Sequence, residues 1–147
     1  MSLHTEAPWN AVAEGYDALV RPSFGTFANR AIELAQLPAN ARVLDVATGP
    51  ATLPLRVADR VHSVVGIDFS TEMLRIAWHN VRDLDNVTLQ RGDGQHLTYE
   101  EAFDAAFSLF GLMFFPDRAA GFRSLYRALV PGGRAVISAW PPPDRST

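Results

Sequence analysis

Three aspartates, Asp45, Asp68 and Asp93, each stand at or just beyond the end of a short apolar run. A carboxylate in such a place has two uses. It can cap a turn by accepting from backbone N–H groups, or it can accept from the N–H or O–H groups of a ligand. For Asp45 the ligand group is an ammonium, held directly or through water, and capping is compatible with that. Asp68 can accept from both hydroxyls of a ribose, or cap the helix that follows. Ribose is favoured because Ser70 is itself a good cap. Phe69 then lies against a base or packs into the core. Asp93 sits between Gly92 and Gly94. It can accept from an exocyclic amine, although alone it reads better as a turn residue. Taken together, the three carboxylates fit an adenosine with a cationic tail.

The turn after the first run reads Asp45-Val-Ala-Thr-Gly-Pro-Ala51. A dinucleotide fingerprint needs Gly-x-Gly-x-x-Gly, and the equivalent positions here are Ala47, Gly49 and Thr52. A pyrophosphate needs close backbone approach and free N–H groups at a helix start. Pro50 removes one donor and Ala51 adds a Cβ. The turn therefore disfavours a phosphate cradle and leaves room for a ligand without phosphates.

These residues need elements to position them. Residues 43–47, 62–67, 87–90, 103–109 and 134–140 read as strands. Helices are expected at 24–36, 51–60, 70–81 and 116–129 from apolar spacing. Ser23 is the expected cap of the first and Ser70 of the third. An N-terminal segment, 9–21, is expected to end at Pro22. Pro131-Gly132-Gly133 reads as a turn, and Pro141 to Pro143 as the stop after the fifth strand. Strands alternating with helices predict an α/β, Rossmann-like, doubly wound parallel sheet of order 3-2-1-4-5. One domain is expected over 1–147, with an N-terminal helical segment at 8–37 and the sheet core at 41–140. Ligands of such sheets bind beyond the carboxyl ends of the strands, where the order reverses. That places residues 47–51, Asp68, Asp93 and Ser108 around one crevice.

Composition removes several classes of function. The 147 residues are 48% apolar, with 13 Lys+Arg against 16 Asp+Glu. There is no lysine, and the arginines are scattered. No basic stripe suggests nucleic acid, and no membrane partner is expected. The absence of cysteine excludes thiolate zinc sites and thiol catalysis. It also fits a cytoplasmic location. His4, His62, His79 and His96 have no metal-ligand spacing, so no metal is expected.

Several segments, in order, resemble a class I S-adenosylmethionine-dependent methyltransferase of the ubiquinone/menaquinone-biosynthesis-like group. They are Val43-Leu-Asp-Val-Ala-Thr-Gly49, Val65-Gly-Ile-Asp-Phe-Ser70, Arg91-Gly-Asp-Gly94, Phe103-Asp-Ala-Ala-Phe-Ser108, Phe110-Gly-Leu-Met-Phe-Phe-Pro-Asp117 and Leu129-Val-Pro-Gly-Gly133. Trp9-Asn-Ala-Val-Ala-Glu-Gly-Tyr-Asp17 resembles the helix that such enzymes fold over the cofactor. The resemblance implies S-adenosylmethionine as cofactor and S-adenosylhomocysteine as product. It implies that Asp45, Ala47, Thr48 and Gly49 hold the methionine end, and that Asp68 binds the ribose. Phe69 and Met73 would lie near the adenine, whose edge Asp93 and Gly94 would read. Ser108 and Leu109 would flank the sulfonium, with Tyr16 covering it. No residue is assigned a catalytic role.

The family usually has Gly at positions 47 and 51, where this chain has Ala. It also continues past the fifth strand into a helix and antiparallel strands, whereas this sequence stops at Thr147. A bare fifth strand carrying Val136, Ile137 and Trp140 is a poor sheet edge. The expectation is either pairing with another copy as a homo-oligomer or a fragment of a longer protein. Methyl transfer to a small-molecule acceptor is the leading function. The run 109–115 reads as core, or as an apolar wall for a hydrophobic or aromatic acceptor. One alternative is a cofactor-binding module without turnover that oligomerises. A nicotinamide-dependent oxidoreductase is a third, opposed by Pro50 and the missing glycines.

Overall fold

The computed structural model describes residues 2–141. Five parallel strands lie in the order β3-β2-β1-β4-β5. They are β1 (Arg42–Val46), β2 (Ser63–Asp68), β3 (Val87–Arg91), β4 (Phe103–Leu109) and β5 (Leu129–Ser138). This is the sheet expected from the alternation of strands and helices. β1 is central and its Val43, Leu44 and Val46 are fully buried. Val43 joins the core on one face with Ala28, Ile32, Val57, Val64 and Phe107. Leu44 and Val46 join the other with Ile67, Phe103, Leu112 and Leu125. A parallel strand covered on both faces needs such an unbroken apolar run.

The N-terminal part differs from expectation. α1 (Glu6–Gly15) passes through a π turn at Tyr16–Val20 directly into α2 (Arg21–Ala35). Pro22 does not break the helix; it directly follows the π turn, as the second residue of α2. Ser23 is therefore inside the helix and is not its cap. α2 ends at Gln36, which takes a left-handed φ of 45°.

The helix expected at 51–60 is shorter and later: α3 spans Pro54–Val57, followed by a 3-10 turn at Ala58–Arg60. Ala51 has φ +66° and cannot start a right-handed helix. α4 (Thr71–Asn80) begins as expected, with Ser70 Oγ accepting from Met73 N at 3.1 Å. α5 (Arg118–Ala128) starts two residues after Pro116, because Asp117 caps it by accepting from Ala120 N at 2.9 Å.

The segment Pro131-Gly132-Gly133 is not a separate turn. It lies within β5, where Phe103 faces Leu129 but Ala105 faces Arg134. The surplus residues bulge out, helped by Gly132 at φ +81°. Trp140 lies beyond the end of β5, and Pro141 is exposed. Pro142 and Pro143 lie outside the described residues. No helix is long and apolar enough to cross a membrane among the described residues.

The carboxyl ends of β1 and β4 approach closely. A Cβ built on Gly111 would lie 2.3 Å from Ala47 Cβ. Gly111 has an ordinary φ of −102°, so the constraint is space alone. Gly111→Ala should therefore destabilise the fold by about 1–3 kcal/mol, the range for overpacking. Urea denaturation checks this, and adding Ala47→Gly to the variant should restore much of the loss.

Candidate functional site

Three cavities run together along the carboxyl ends of β1, β2 and β4, and Ala47 lines all of them. One end is lined by Asp68, Phe69, Asp93, Gly94 and Gln95. Tyr16, Gly49, Asp68, Met73 and Leu109 line the middle. Asp45, Thr48, Gly49, Phe24 and Phe110 line the far end. Tyr16, Asp45, Ala47, Thr48, Gly49, Asp68, Phe69, Met73, Asp93, Gly94 and Leu109 thus share one crevice. Ser108 does not line it. It is fully buried, and its Oγ accepts from Leu112 N at 3.2 Å. Leu109 borders the cleft, whereas the Ser108 side chain is covered beside Gly111.

The floor of the crevice is the loop after β1. Ala47, Gly49 and Ala51 take φ of 60°, 54° and 66°. For alanine this conformation costs about 1–2 kcal/mol per residue. The loop is pinned from several sides. Thr48 N donates to Ile67 O at 3.0 Å, and Ala51 N to Thr48 O at 3.1 Å. Gly49 N donates to Asp68 Oδ2 at 2.8 Å.

Each carboxylate has a distinct setting. Asp45 is buried and its Oδ2 accepts from Thr48 Oγ1 at 2.6 Å. Burial pushes its carboxyl up to about 7; Thr48 opposes this and the charge of Asp68 adds to it. Asp68 is also raised by burial, although N–H groups of Ser70 and Gly49 hold it back. Asp68 Oδ1 accepts from Ser70 N at 2.9 Å. Asp68 thus closes the turn and also borders the cleft. Burial raises Asp93 as well, but Gln95 and His96 outweigh it and leave the carboxyl below its ordinary value. Tyr16 is pushed up to about 12 by burial and by the negative charge of Asp68.

Residues 9–17, which the resemblance placed over the cofactor, do border the crevice through Trp9 and Tyr16; what sequence reasoning missed is how this roof is held. α1 lies over the crevice and clips to the start of α4. Glu6 Oε1 accepts from Thr71 N at 3.0 Å, and Asn10 Oδ1 accepts from Ser70 Oγ at 2.6 Å. Trp9 from α1 and Phe114 after β4 line the cavities and meet edge to face at 5.2 Å. Phe24 and Phe27 of α2 were readable only as a core-facing stripe. They instead form an aromatic wall with Phe110 and Trp140, with Phe110 stacked on Trp140 at 4.4 Å. A partial signal was available in the density of aromatics at 110–115, on the carboxyl side of β4. Among the described residues no three His, Cys, Asp or Glu side chains cluster as metal ligands. His96 Nδ1 instead lies 3.0 Å from Asp93 Oδ2 on the surface.

Residues 43–133 match the family described as "Methyltransferase domain". The chain belongs to this methyltransferase family. Within it, the similarity runs to the ubiquinone/menaquinone-biosynthesis group of class I S-adenosylmethionine-dependent enzymes. The demethylmenaquinone methyltransferase of Thermus thermophilus is 38% identical over 146 residues, covering 93% of this chain and 66% of the relative. The ubiquinone/menaquinone biosynthesis C-methyltransferase of Geotalea daltonii is 33% identical, covering 88% and 60%. A solved structure titled "DhpI-SAH complex structure" superposes with a TM-score of 0.75 at 29% identity, covering 89% and 65%. The chain spans less than two thirds of the length of each of these.

The Asp45 shift fixes the sign of a pH effect. A folded-state value near 7, above the unfolded carboxylate value, means that the unfolded chain ionises first. Its contribution to stability is full at low pH and is lost as pH rises through the folded value. Asp45→Asn should therefore gain stability over the parent protein from about pH 4 to about pH 7, and the gain should then level off. Melting temperatures of the two ligand-free proteins across that range test this. Parallel curves would reject it.

Proposed function

We propose that this crevice binds S-adenosylmethionine and presents its methyl group to a small apolar or aromatic acceptor. The observation that carries the reading is the order of carboxylates, Asp45, Asp68 and Asp93, along one continuous cleft in a chain of this family. Asp45, with Ala47, Thr48 and Gly49, faces the methionine end and attracts its ammonium. Asp68 retains lone pairs for the ribose hydroxyls. Phe69 and Met73 flank the adenine, and Asp93 with Gly94 reads its edge. Tyr16 and Leu109 border the sulfonium in the middle of the cleft.

When bound, the cofactor supplies a methyl group already activated for displacement. The chain's own part is positioning and exclusion of water. Tyr16, with its raised value, stays protonated and serves as a donor or a wall, not as a base. The aromatic wall of Phe24, Phe27, Phe110 and Trp140 suits a flat hydrophobic acceptor. The names of the relatives, which specify demethylmenaquinone and ubiquinone/menaquinone biosynthesis, support that class. Nothing in the cleft's charge favours nucleic acid as acceptor.

Titration calorimetry with S-adenosylmethionine, S-adenosylhomocysteine and NAD tests the cofactor. Both sulfur ligands should bind and NAD should not. Asp68→Ala should weaken binding by roughly tenfold or more, the loss of a hydrogen bond to a charged group. If neither sulfur ligand bound, the reading would fail. Binding without methylation across a panel of hydrophobic phenols and quinols would favour a non-catalytic binding module instead.

We also propose that β5 pairs with a second copy of the chain. Among the described residues β5 is hydrogen-bonded on one side only, to β4. An open edge of this length is a template for strand pairing. Sedimentation equilibrium should give the mass of a dimer, and a monomer at all accessible concentrations would refute the pairing.

A further inference from the structure

The loop Ala47–Ala51 is held from within the sheet by Ile67 and Asp68, but one hold comes from outside. Asn80, the last residue of α4, donates Nδ2 to Pro50 O at 2.9 Å. Pro50 has no N–H, so its carbonyl is the only backbone group by which that residue can be fixed. The same Nδ2 also donates to Asp17 Oδ1 at 2.9 Å. Asp17 lies in the π turn between α1 and α2, and its Oδ1 also takes Arg21 Nε at 2.6 Å. The π turn inserts one residue into an otherwise continuous helix, and such insertions recur at functional sites. Here it lets Tyr16 border the cleft while its neighbour Asp17 reaches Asn80.

One amide group thus bridges two parts that both border the cofactor cleft: the strained floor and the roof helix. We propose that Asn80 is a positioning residue that couples the loop Ala47–Ala51 to the N-terminal helix, so that floor and roof are ordered together when cofactor binds. This rests on the cofactor reading given above. The floor alone holds residues in a conformation that alanine resists, and it persists only where its surroundings over-determine it. The roof is held to α4 by the polar contacts of Glu6 and Asn10 and by the packing of Ala13, Trp9 and Tyr16 on Met73 and Ile76, none of which reaches the loop. Joined through Asn80, each restricts the other, and a ligand touching both gains from the shared order.

The test uses Asn80→Ala, Asp17→Ala and the double variant in the full chain. Asn80→Ala should raise the Kd for S-adenosylhomocysteine roughly tenfold, as expected for losing a hydrogen bond to a charged partner. Methylation, where measured, should show a raised cofactor KM with kcat unchanged, a split that a general loss of stability does not produce. The double variant should be no worse than Asn80→Ala, because both changes cut the same link. Asn80→Asp keeps the shape but sets a carboxylate against Asp17 and Pro50 O, and should bind more weakly than Asn80→Ala. Folded Asn80→Ala protein with an unchanged Kd would overturn the proposal, as would fully additive losses. If the parent protein itself bound neither sulfur ligand, the cofactor reading would fall and the coupling would be read by hydrogen exchange. Asp17→Ala, which does not touch the loop, should then speed exchange at the Ala51 and Leu55 amides, and unchanged rates there would overturn the link. The same exchange comparison decides the matter if Asn80→Ala does not fold.

Discussion

The Asp68 carboxylate is the interaction on which the rest of the site depends. One oxygen takes the N–H of Gly49 and the other the N–H of Ser70. These two bonds join the end of β2 to the loop after β1 and to the start of α4. They also leave a buried carboxylate without a cation beside it. Its burial is tolerated because hydrogen bonds replace water around the charged form. The same two bonds fix the left-handed turn at Gly49 and release Ser70 to cap α4 through its side chain. Without Asp68 the three elements would have no common point at the mouth of the cleft.

The loop that Asp68 holds carries alanine at two positions with positive φ. Ala47 and Ala51 occupy backbone conformations that L side chains resist, and Ala51 is fully buried. Space for the Ala47 methyl comes from Gly111, the residue two beyond the end of β4. Crowding is relieved there, while the dihedral cost remains and is met by the surrounding hydrogen bonds.

How much of this was legible in the sequence depends on the range of the controlling interaction. The sheet order, the register of apolar runs and the cap at Ser70 are local or follow from handedness, and all were readable. Eleven of the twelve expected cofactor residues do border one cleft, because strand ends converge in any such sheet. Ser108 is instead buried, because its Oγ is taken up by Leu112 N in the turn after β4. Continuity of α1 and α2 through Pro22 was not readable. Proline by itself reads as a helix stop, and the contacts of Asn10 and Asp17 with the ends of α4 that hold this segment are tertiary. The aromatic wall was also hidden, since Phe24 and Phe27 meet Phe110 and Trp140 only after the sheet has formed.

The arrangement places unlike environments side by side. Asp45 is buried with a hydroxyl partner and a nearby like charge, so that ionising it is difficult until a cation arrives. Asp93, near the surface, is ionised readily through Gln95 and His96. In the proposed reading, a ligand with its positive charge at one end and an amine-bearing ring at the other would therefore have a single favourable orientation in the cleft. Reversed, it would set its cation near Asp93, where water already screens the charge, and leave Asp45 unpaired in the interior. Orientation follows from this difference in burial more than from the number of hydrogen bonds. It fixes which part of the ligand lies in the middle of the cleft, between Tyr16 and Leu109 and beside Phe110, where the aromatic wall begins.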